Sequence, residues 1–259
     1  MGGVKVALAD RVLTATLADH ENRNALGAEI LAGLKTALER ANADPEIRVV
    51  VLTNEGSTFC AGANLKEQSA RNESGESTAI SDFAELLTAI QCSPTPVVGR
   101  IDGHVVGGGN GLAAACDIAI AREDVKFGFT EVRLGVTPAI ISVVCLPKMR
   151  RGEAMEAFLR GNRFSAAKAA EYGLISRALP GDELDAAVME VVGDLRKGGP
   201  EALVIAKRLV YEIEGREPQE AFEWATQLSA ECFASDEARE GMRAFIEKRG
   251  ASWAASEED

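Results

Sequence analysis

Apolar positions along the chain fall into two periods, and their alternation is the first guide to its architecture. Val4–Leu8 and Val12–Leu17 run apolar or alternate on either side of Asp10-Arg11, which predicts a hairpin. Ile30, Leu31, Leu34, Leu38 and Ala41 then recur at helical spacing, and Pro45 follows soon after the run ends. Ile47–Thr53 is a buried-strand run rich in β-branched residues. Asn54–Gly62 reads as a turn-rich loop, with a helix opening at Leu65. Residues 67–80 are polar and aperiodic, which predicts a mobile loop. Phe83, Leu86, Leu87 and Ile90 mark another helix, closed by Ser93-Pro94-Thr95-Pro96. Val97–Ile101 and Ile118–Ala121 supply two more buried strands, so strands and helices alternate as in an α/β core.

The last third is helical throughout. Leu184, Val188, Val191, Val192 and Leu195 form a stripe with Asp182 as the expected N-cap. Ala202–Ile213, Pro218–Phe233 and Asp236–Lys248 continue it, with Ser235 as a second cap. This divides the chain into an α/β body over residues 1–190 and a helical segment over 191–259, whose acidic tail Ser256–Asp259 is expected to fray. No long internal repeat is visible.

Composition narrows the function classes. With 28 Lys+Arg against 40 Asp+Glu, the 259 residues carry a net charge of −12. So acidic a chain argues against general binding to nucleic acid or to an anionic membrane, although a local basic pocket for a small anion stays open. No apolar run approaches the ~20 residues of a membrane span. The N-terminal MGGVKVALAD lacks the apolar stretch of a signal peptide, so a cytoplasmic protein is expected. The five cysteines (Cys60, Cys92, Cys116, Cys145, Cys232) are odd in number and form no Cys-x-x-Cys pair. That argues against a disulfide framework and a zinc site, and the four with apolar neighbours are expected to be buried. His20 and His104 are the only histidines, too few for a His-rich metal centre.

The densest chemical signal is Gly103–Leu112 (GHVVGGGNGL), after the strand Val97–Ile101 and before a helix expected over Leu112–Cys116. Glycines there let backbone N–H groups approach a ligand at the positive end of a helix. Gly109, Gly111 and Ala114 satisfy the dinucleotide fingerprint, with Glu123 as the ribose-binding acid, but about 100 residues precede the motif and mostly helix follows it. A tight turn for close helix–strand packing is a second reading. The third is an oxyanion hole, which needs a partner donor, and the small residues of Ser57–Lys66 offer one.

Phe59–Lys66 (FCAGANLK) resembles the F-x-A-G-A-D-L-K segment of the crotonase, or enoyl-CoA hydratase/isomerase, superfamily. Gly103–Leu112 with Cys116-Asp117-Ile118 resembles its second signature, and Phe127–Gly135 (FGFTEVRLG) the segment that follows. Asn24-Ala25-Leu26 and Ala244–Arg249 are similar to its two ends, in the same order and spacing. The resemblance implies an α/β fold: a crotonase-type ββα spiral core with a C-terminal helical trimerisation region. It implies an acyl-CoA substrate whose enolate is held by two backbone N–H groups, at Ala63 and Gly108. Coenzyme A would be part of that substrate, with no separate cofactor and no metal. Ala61, Ala63, Asn64, Leu65 and Lys66 would lie along the CoA, with Arg23 beside it and Lys248 reaching it across a subunit boundary. A homotrimer, or a dimer of trimers, would be the assembly.

Glu131 stands where the family carries a catalytic carboxylate, at the end of a strand-like run. Burial against Phe127 and Phe129 would raise its pKa toward neutrality, as general acid/base work requires. The better-known hydratases carry a second Glu at the position of Gly111, which here has no side chain. Asn110 beside it is neutral and Asp117 looks structural. One carboxylate still serves hydration of a 2-enoyl-CoA, or a C2-to-C4 proton shift. The run Glu131–Ser142 (EVRLGVTPAIIS) resembles a bacterial branch that includes methylglutaconyl-CoA-type hydratases, which favours hydratase over isomerase. A silent CoA-binding scaffold and a dinucleotide-binding oxidoreductase are the readings of other classes. His104 is read as a packing residue, and Cys60 has no His partner for thiol catalysis.

Overall fold

The computed structural model describes residues 3–67, 69 and 78–254. The polar stretch 67–80 therefore falls largely outside the described residues, as does the tail Ser256–Asp259. The predicted hairpin is present as β1 (Val4–Ala9) and β2 (Val12–Leu17), paired antiparallel. After the Ala28–Ala43 helix, three consecutive units repeat one plan: a strand, a three-residue strand, then helix. They begin with β3 (Val49–Asn54) and β4 (Thr58–Cys60), then β5 (Val97–Ile101) and β6 (His104–Val106), then β7 (Ile118–Arg122) and β8 (Lys126–Gly128). β9 (Arg163–Ser165) and β10 (Arg177–Leu179) complete the strands.

Topology turns this repeat into a spiral. The long strands build a six-stranded sheet in the order β1-β2-β3-β5-β7-β10, parallel from β2 onward. The short strands build a second sheet, β4-β6-β8-β9, parallel except at β9. Each unit thus adds one strand to each sheet before its helix returns, which is the ββα spiral. β3 begins at Val49 rather than Ile47, since Ile47 and Arg48 precede the ladder.

Alternation along β3 assigns its side chains to two cores. Val50 and Leu52 point into the main core, where they meet Leu34 and Leu38 of the Ala28–Ala43 helix and Leu86 and Ile90 of the Thr78–Cys92 helix. Val49 and Val51 face the opposite side, with Val98 and Ile120, where Leu184, Val188 and Val192 cover them. The stripe read from the sequence is therefore the face by which the Leu184–Lys197 helix covers the sheet, and residue 190 lies inside that helix. Its N-cap is Glu183 and not Asp182, which stands one residue too early to reach the first turn. Ser235 does cap, its Oγ accepting the Ala238 N–H at 3.0 Å.

The Pro200–Glu212 and Pro218–Ala234 helices bury no residue fully. The first is anchored by polar contacts instead. Lys207 Nζ donates to the carbonyls of Ile90 and Ser93 and to Asp117 Oδ2, at 2.9, 3.0 and 3.0 Å. Asp117 Oδ2 also accepts the Val97 N–H at 2.7 Å, which makes this Asp the structural residue expected of it. Among the described residues no helix is long and apolar enough to cross a membrane.

Candidate active site

The glycine-rich run makes a sharper turn than the sequence reading gave it. β6 ends at Val106, Gly107 adopts φ 55° and ψ −126°, and the helix opens at Gly108 instead of Leu112. An L side chain is strained at that φ, so glycine at 107 sets the turn. Glycines inside the helix pull it against neighbouring backbone: a Cβ on Gly109 would stand 2.6 Å from the Cys60 carbonyl oxygen. As the first helical residue, Gly108 has an N–H with no intrahelical acceptor.

The Ser57–Lys66 segment comes to that same N–H. A Cβ on Gly62 would lie 3.1 Å from Gly108 N and 3.0 Å from the Val106 carbonyl oxygen. Two backbone hydrogen bonds hold the loop there, Leu26 N–H to the Gly62 carbonyl at 2.7 Å and Ala61 N–H to the Arg23 carbonyl at 3.1 Å. Asn24, buried, pins the other end through Nδ2 to the Thr58 carbonyl at 2.7 Å. Ala63, which bridges to Leu26, is exposed, and among the described residues its N–H is used by no hydrogen bond. Asn64 caps the helical turn that opens at Leu65: its Oδ1 accepts the Glu67 N–H at 3.3 Å, and its Nδ2 donates to Glu67 Oε1 at 2.7 Å. Asn caps here as an Asp would.

Glu131 does not end a strand. It opens a short 3-10 helix, Glu131–Leu134, whose C-cap Gly135 adopts φ 74°. Its carboxylate turns back toward the glycine turn, with Oε1 3.5 Å from where a Cβ on Gly107 would be. Oε2 is buried and has no hydrogen-bond partner among the described residues. Desolvation by burial pushes this carboxyl above the usual Glu range, the direction expected from the sequence. The geometry thus brings a backbone N–H at a helix start, the loop that carries the unused N–H of Ala63 and the Glu131 carboxylate to one glycine turn.

Other candidates fall outside this cluster. Arg23, Leu65 and Lys66 are exposed around the loop, and Lys248 is the left-handed C-cap of the Asp236–Glu247 helix, exposed at the end of the helical segment. His104 opens β6, half-buried, and its Nδ1 accepts the Lys126 N–H at 3.1 Å, and His20 pairs with Glu55 at 3.1 Å on the surface. Three cysteines are buried, not four: Cys60, Cys116 and Cys145, with Cys92 exposed at the end of its helix. Desolvation pushes the Cys60 thiol up to about 12, so it is no nucleophile at neutral pH.

Two features of the site escaped the sequence reading. Gly111 is covered by Ile141 and Phe83, so the place of a second carboxylate is filled by hydrocarbon. Asn110 is fully buried and ties the glycine turn together, its Nδ2 donating at 2.9 Å to the carbonyls of both Gly107 and Gly128. An amide embedded among four glycines and followed by an apolar helix was the available signal.

Known proteins match the chain over nearly its whole length. The family model described as "Enoyl-CoA hydratase/isomerase" matches residues 8–256. The enoyl-CoA hydratase EchA19 of Mycobacterium tuberculosis is 32% identical over 232 residues, covering 88% of this chain and 87% of that protein. A crystal structure of an enoyl-CoA hydratase from Bacillus anthracis superposes with a TM-score of 0.90 at 30% identity, covering 98% of this chain and 100% of that one. One from Mycobacterium smegmatis gives a TM-score of 0.90 at 29% identity, covering 98% and 99%.

Proposed function

The chain belongs to the enoyl-CoA hydratase/isomerase family, and from that premise we propose that it is an enoyl-CoA hydratase working with one carboxylate, Glu131. The observation that carries this reading is the meeting, at the Gly107 turn, of Gly108 N, the 61–63 loop and the carboxylate of Glu131, whose Oε2 has no partner among the described residues. In this reading the thioester carbonyl sits between the N–H groups of Ala63 and Gly108. Water activated by Glu131 attacks C3, negative charge collects on the thioester oxygen, and the two dipoles stabilise it without reorganising. Glu131 then returns a proton to C2. Its raised pKa suits a group that must both take and give a proton near neutral pH.

Arg23, Ala61, Asn64, Leu65 and Lys66 would flank the CoA moiety, and Lys248 would reach it from another subunit. CoA enters as part of the substrate, and the chemistry calls for neither a metal nor an electron sink. The exposed apolar side chains of the last helices support assembly as a trimer or a dimer of trimers. Buried free thiols suit a reducing compartment such as the cytoplasm. The hydrocarbon over Gly111 favours a second reading, double-bond isomerisation, in which a single base moves a proton from C2 to C4.

Mass spectrometry of an acyl-CoA panel, with wild type and Glu131→Gln, separates these. A gain of one water on a 2-enoyl-CoA that the variant loses is the expected result. Conversion of a 3-enoyl to a 2-enoyl thioester without mass change would replace hydratase by isomerase. Thioesters returned untouched while CoA still binds would leave only a scaffold.

A further inference from the structure

We propose that Asn110 is a positioning residue that fixes and polarises the peptide carrying the Gly108 N–H. The inference rests on the proposed function, in which that N–H faces the thioester oxygen. The peptide unit joining Gly107 to Gly108 has two ends, and Asn110 acts on the far one. Its carbonyl oxygen, that of Gly107, accepts both the Asn110 backbone N–H and Asn110 Nδ2, each at 2.9 Å. Oxygen and nitrogen of one peptide share a delocalised system, so donors at the oxygen draw electron density from nitrogen and strengthen the N–H as a donor.

The second proton of Nδ2 goes to the Gly128 carbonyl, also at 2.9 Å, and Gly128 O takes the Gly107 N–H as well. Gly128 ends β8, three residues before Glu131. One side chain therefore spans the oxyanion peptide and the arm that carries the base. Two carbonyl acceptors on one side fix the amide orientation, leaving Oδ1 buried with no partner among the described residues. That orphaned oxygen is a cost to the fold.

A purely structural Asn would be expected to destabilise the chain when replaced. Here neither carbonyl is orphaned by its loss: Gly107 O keeps the Asn110 N–H and Gly128 O keeps the Gly107 N–H. Asn110→Leu, close in shape and without donors, removes the orphaned oxygen too. Stability and catalysis should then part company.

The experiment compares wild type, Asn110→Leu and Asn110→Ala on the enoyl-CoA that wild type turns over best. It measures kcat and KM, thermal stability, and the thioester carbonyl stretch of bound ligand by Raman difference spectroscopy. For Asn110→Leu we expect kcat to fall about tenfold to a hundredfold, less than the ~10²–10³ of a deleted donor. KM should stay within about threefold, the pattern of an interaction felt in the transition state. The carbonyl band, lowered on binding wild type, should return toward its free position, with thermal stability unchanged or higher. Asn110→Ala, which relieves any crowding by Leu, should show the same band shift. A folded variant with unchanged kcat and carbonyl band overturns the inference and leaves the hydratase reading standing. Wild type that neither lowers the band nor turns over any thioester overturns both.

Discussion

Ile141 closes over the Cα of Gly111: a Cβ at position 111 would stand 2.4 Å from Ile141 Cγ2 and 3.0 Å from Ile141 Cβ. Phe83 Cζ completes the cover at 3.4 Å. The missing second Glu is thus matched by a side chain that fills its place, and the two positions behave as a pair. Restoring a carboxylate at 111 alone would set a charge against hydrocarbon.

That pairing predicts a double-mutant result. Gly111→Ala adds a methyl to a filled space, costing about 1–3 kcal/mol, against about 1 kcal/mol gained in helix propensity. In wild type the sum should be a net loss of stability. In an Ile141→Ala background the Cγ2 clash is gone, and the same change should cost far less or stabilise. Urea melts of the four proteins measure this. Equal costs in both backgrounds would show that the helices shift apart freely and that the pair is not coupled.

The C-terminal helices offer a second test through Lys207, whose ammonium holds Asp117 and two carbonyls in a nearly closed site. Lys207→Met keeps the stem but leaves a buried carboxylate with only the Val97 N–H and the nearby Lys148 charge to hold it, a loss of up to about 3–5 kcal/mol at neutral pH. Burial already pushes the Asp117 carboxyl above its ordinary range, with Lys207 opposing. Without the lysine it rises further, so the folded variant binds a proton that the unfolded chain releases. Its stability relative to wild type should therefore fall as the pH is raised from about 4 to 7, above the ordinary Asp pKa of ~3.9. A deficit independent of pH would mean that the carbonyls, not Asp117, are what Lys207 serves.

The spiral was legible where its elements are long. The hairpin, the helices around Ile30 and Leu86 and the strands Val97–Ile101 and Ile118–Arg122 carry enough residues to show a period. The repeat itself was not, because β4, β6 and β8 have three residues each, too few to alternate. Those strands are what bring the 61–63 loop to the glycine turn. The helix start at Gly108 was missed for a related reason: glycines at 108, 109 and 111 argue against helix locally, and only the close approach of Leu26, Cys60 and Ile141 in turn explains them. The motif residues, by contrast, were visible in sequence, and the fold brings Gly62, Gly108 and Glu131 together.

Phe222, Phe233, Phe245 and Ile246 stand 75%, 68%, 85% and 78% exposed on the last two helices, more hydrocarbon than a lone subunit ordinarily leaves in water. Sedimentation equilibrium should find three or six copies of the chain. Phe245→Asp should shift that assembly toward single chains, with the helical circular dichroism of the core retained. A wild-type chain that sediments alone at micromolar concentration would sink the trimer.

Glu131 should weaken the fold it serves. Burial holds its carboxyl above the ordinary Glu range, so the folded chain binds this proton more tightly than the unfolded chain. Between those two ionisations folding takes up a proton, and stability falls as the pH rises. Glu131→Gln removes the stranded charge, so the variant should be more stable than wild type at pH ~7. The gap should close as the pH drops below the free Glu value of ~4.3, where both states of wild type are protonated. Activity should show the same group from the other side: kcat/KM of wild type should rise with pH through an ionisation above ~4.3, since only the carboxylate activates water. Urea melts of both proteins across that range, beside the pH–rate profile, make the comparison. If Glu131→Gln were the less stable protein at neutral pH, the carboxylate would be held by a partner in the fold rather than kept free for substrate.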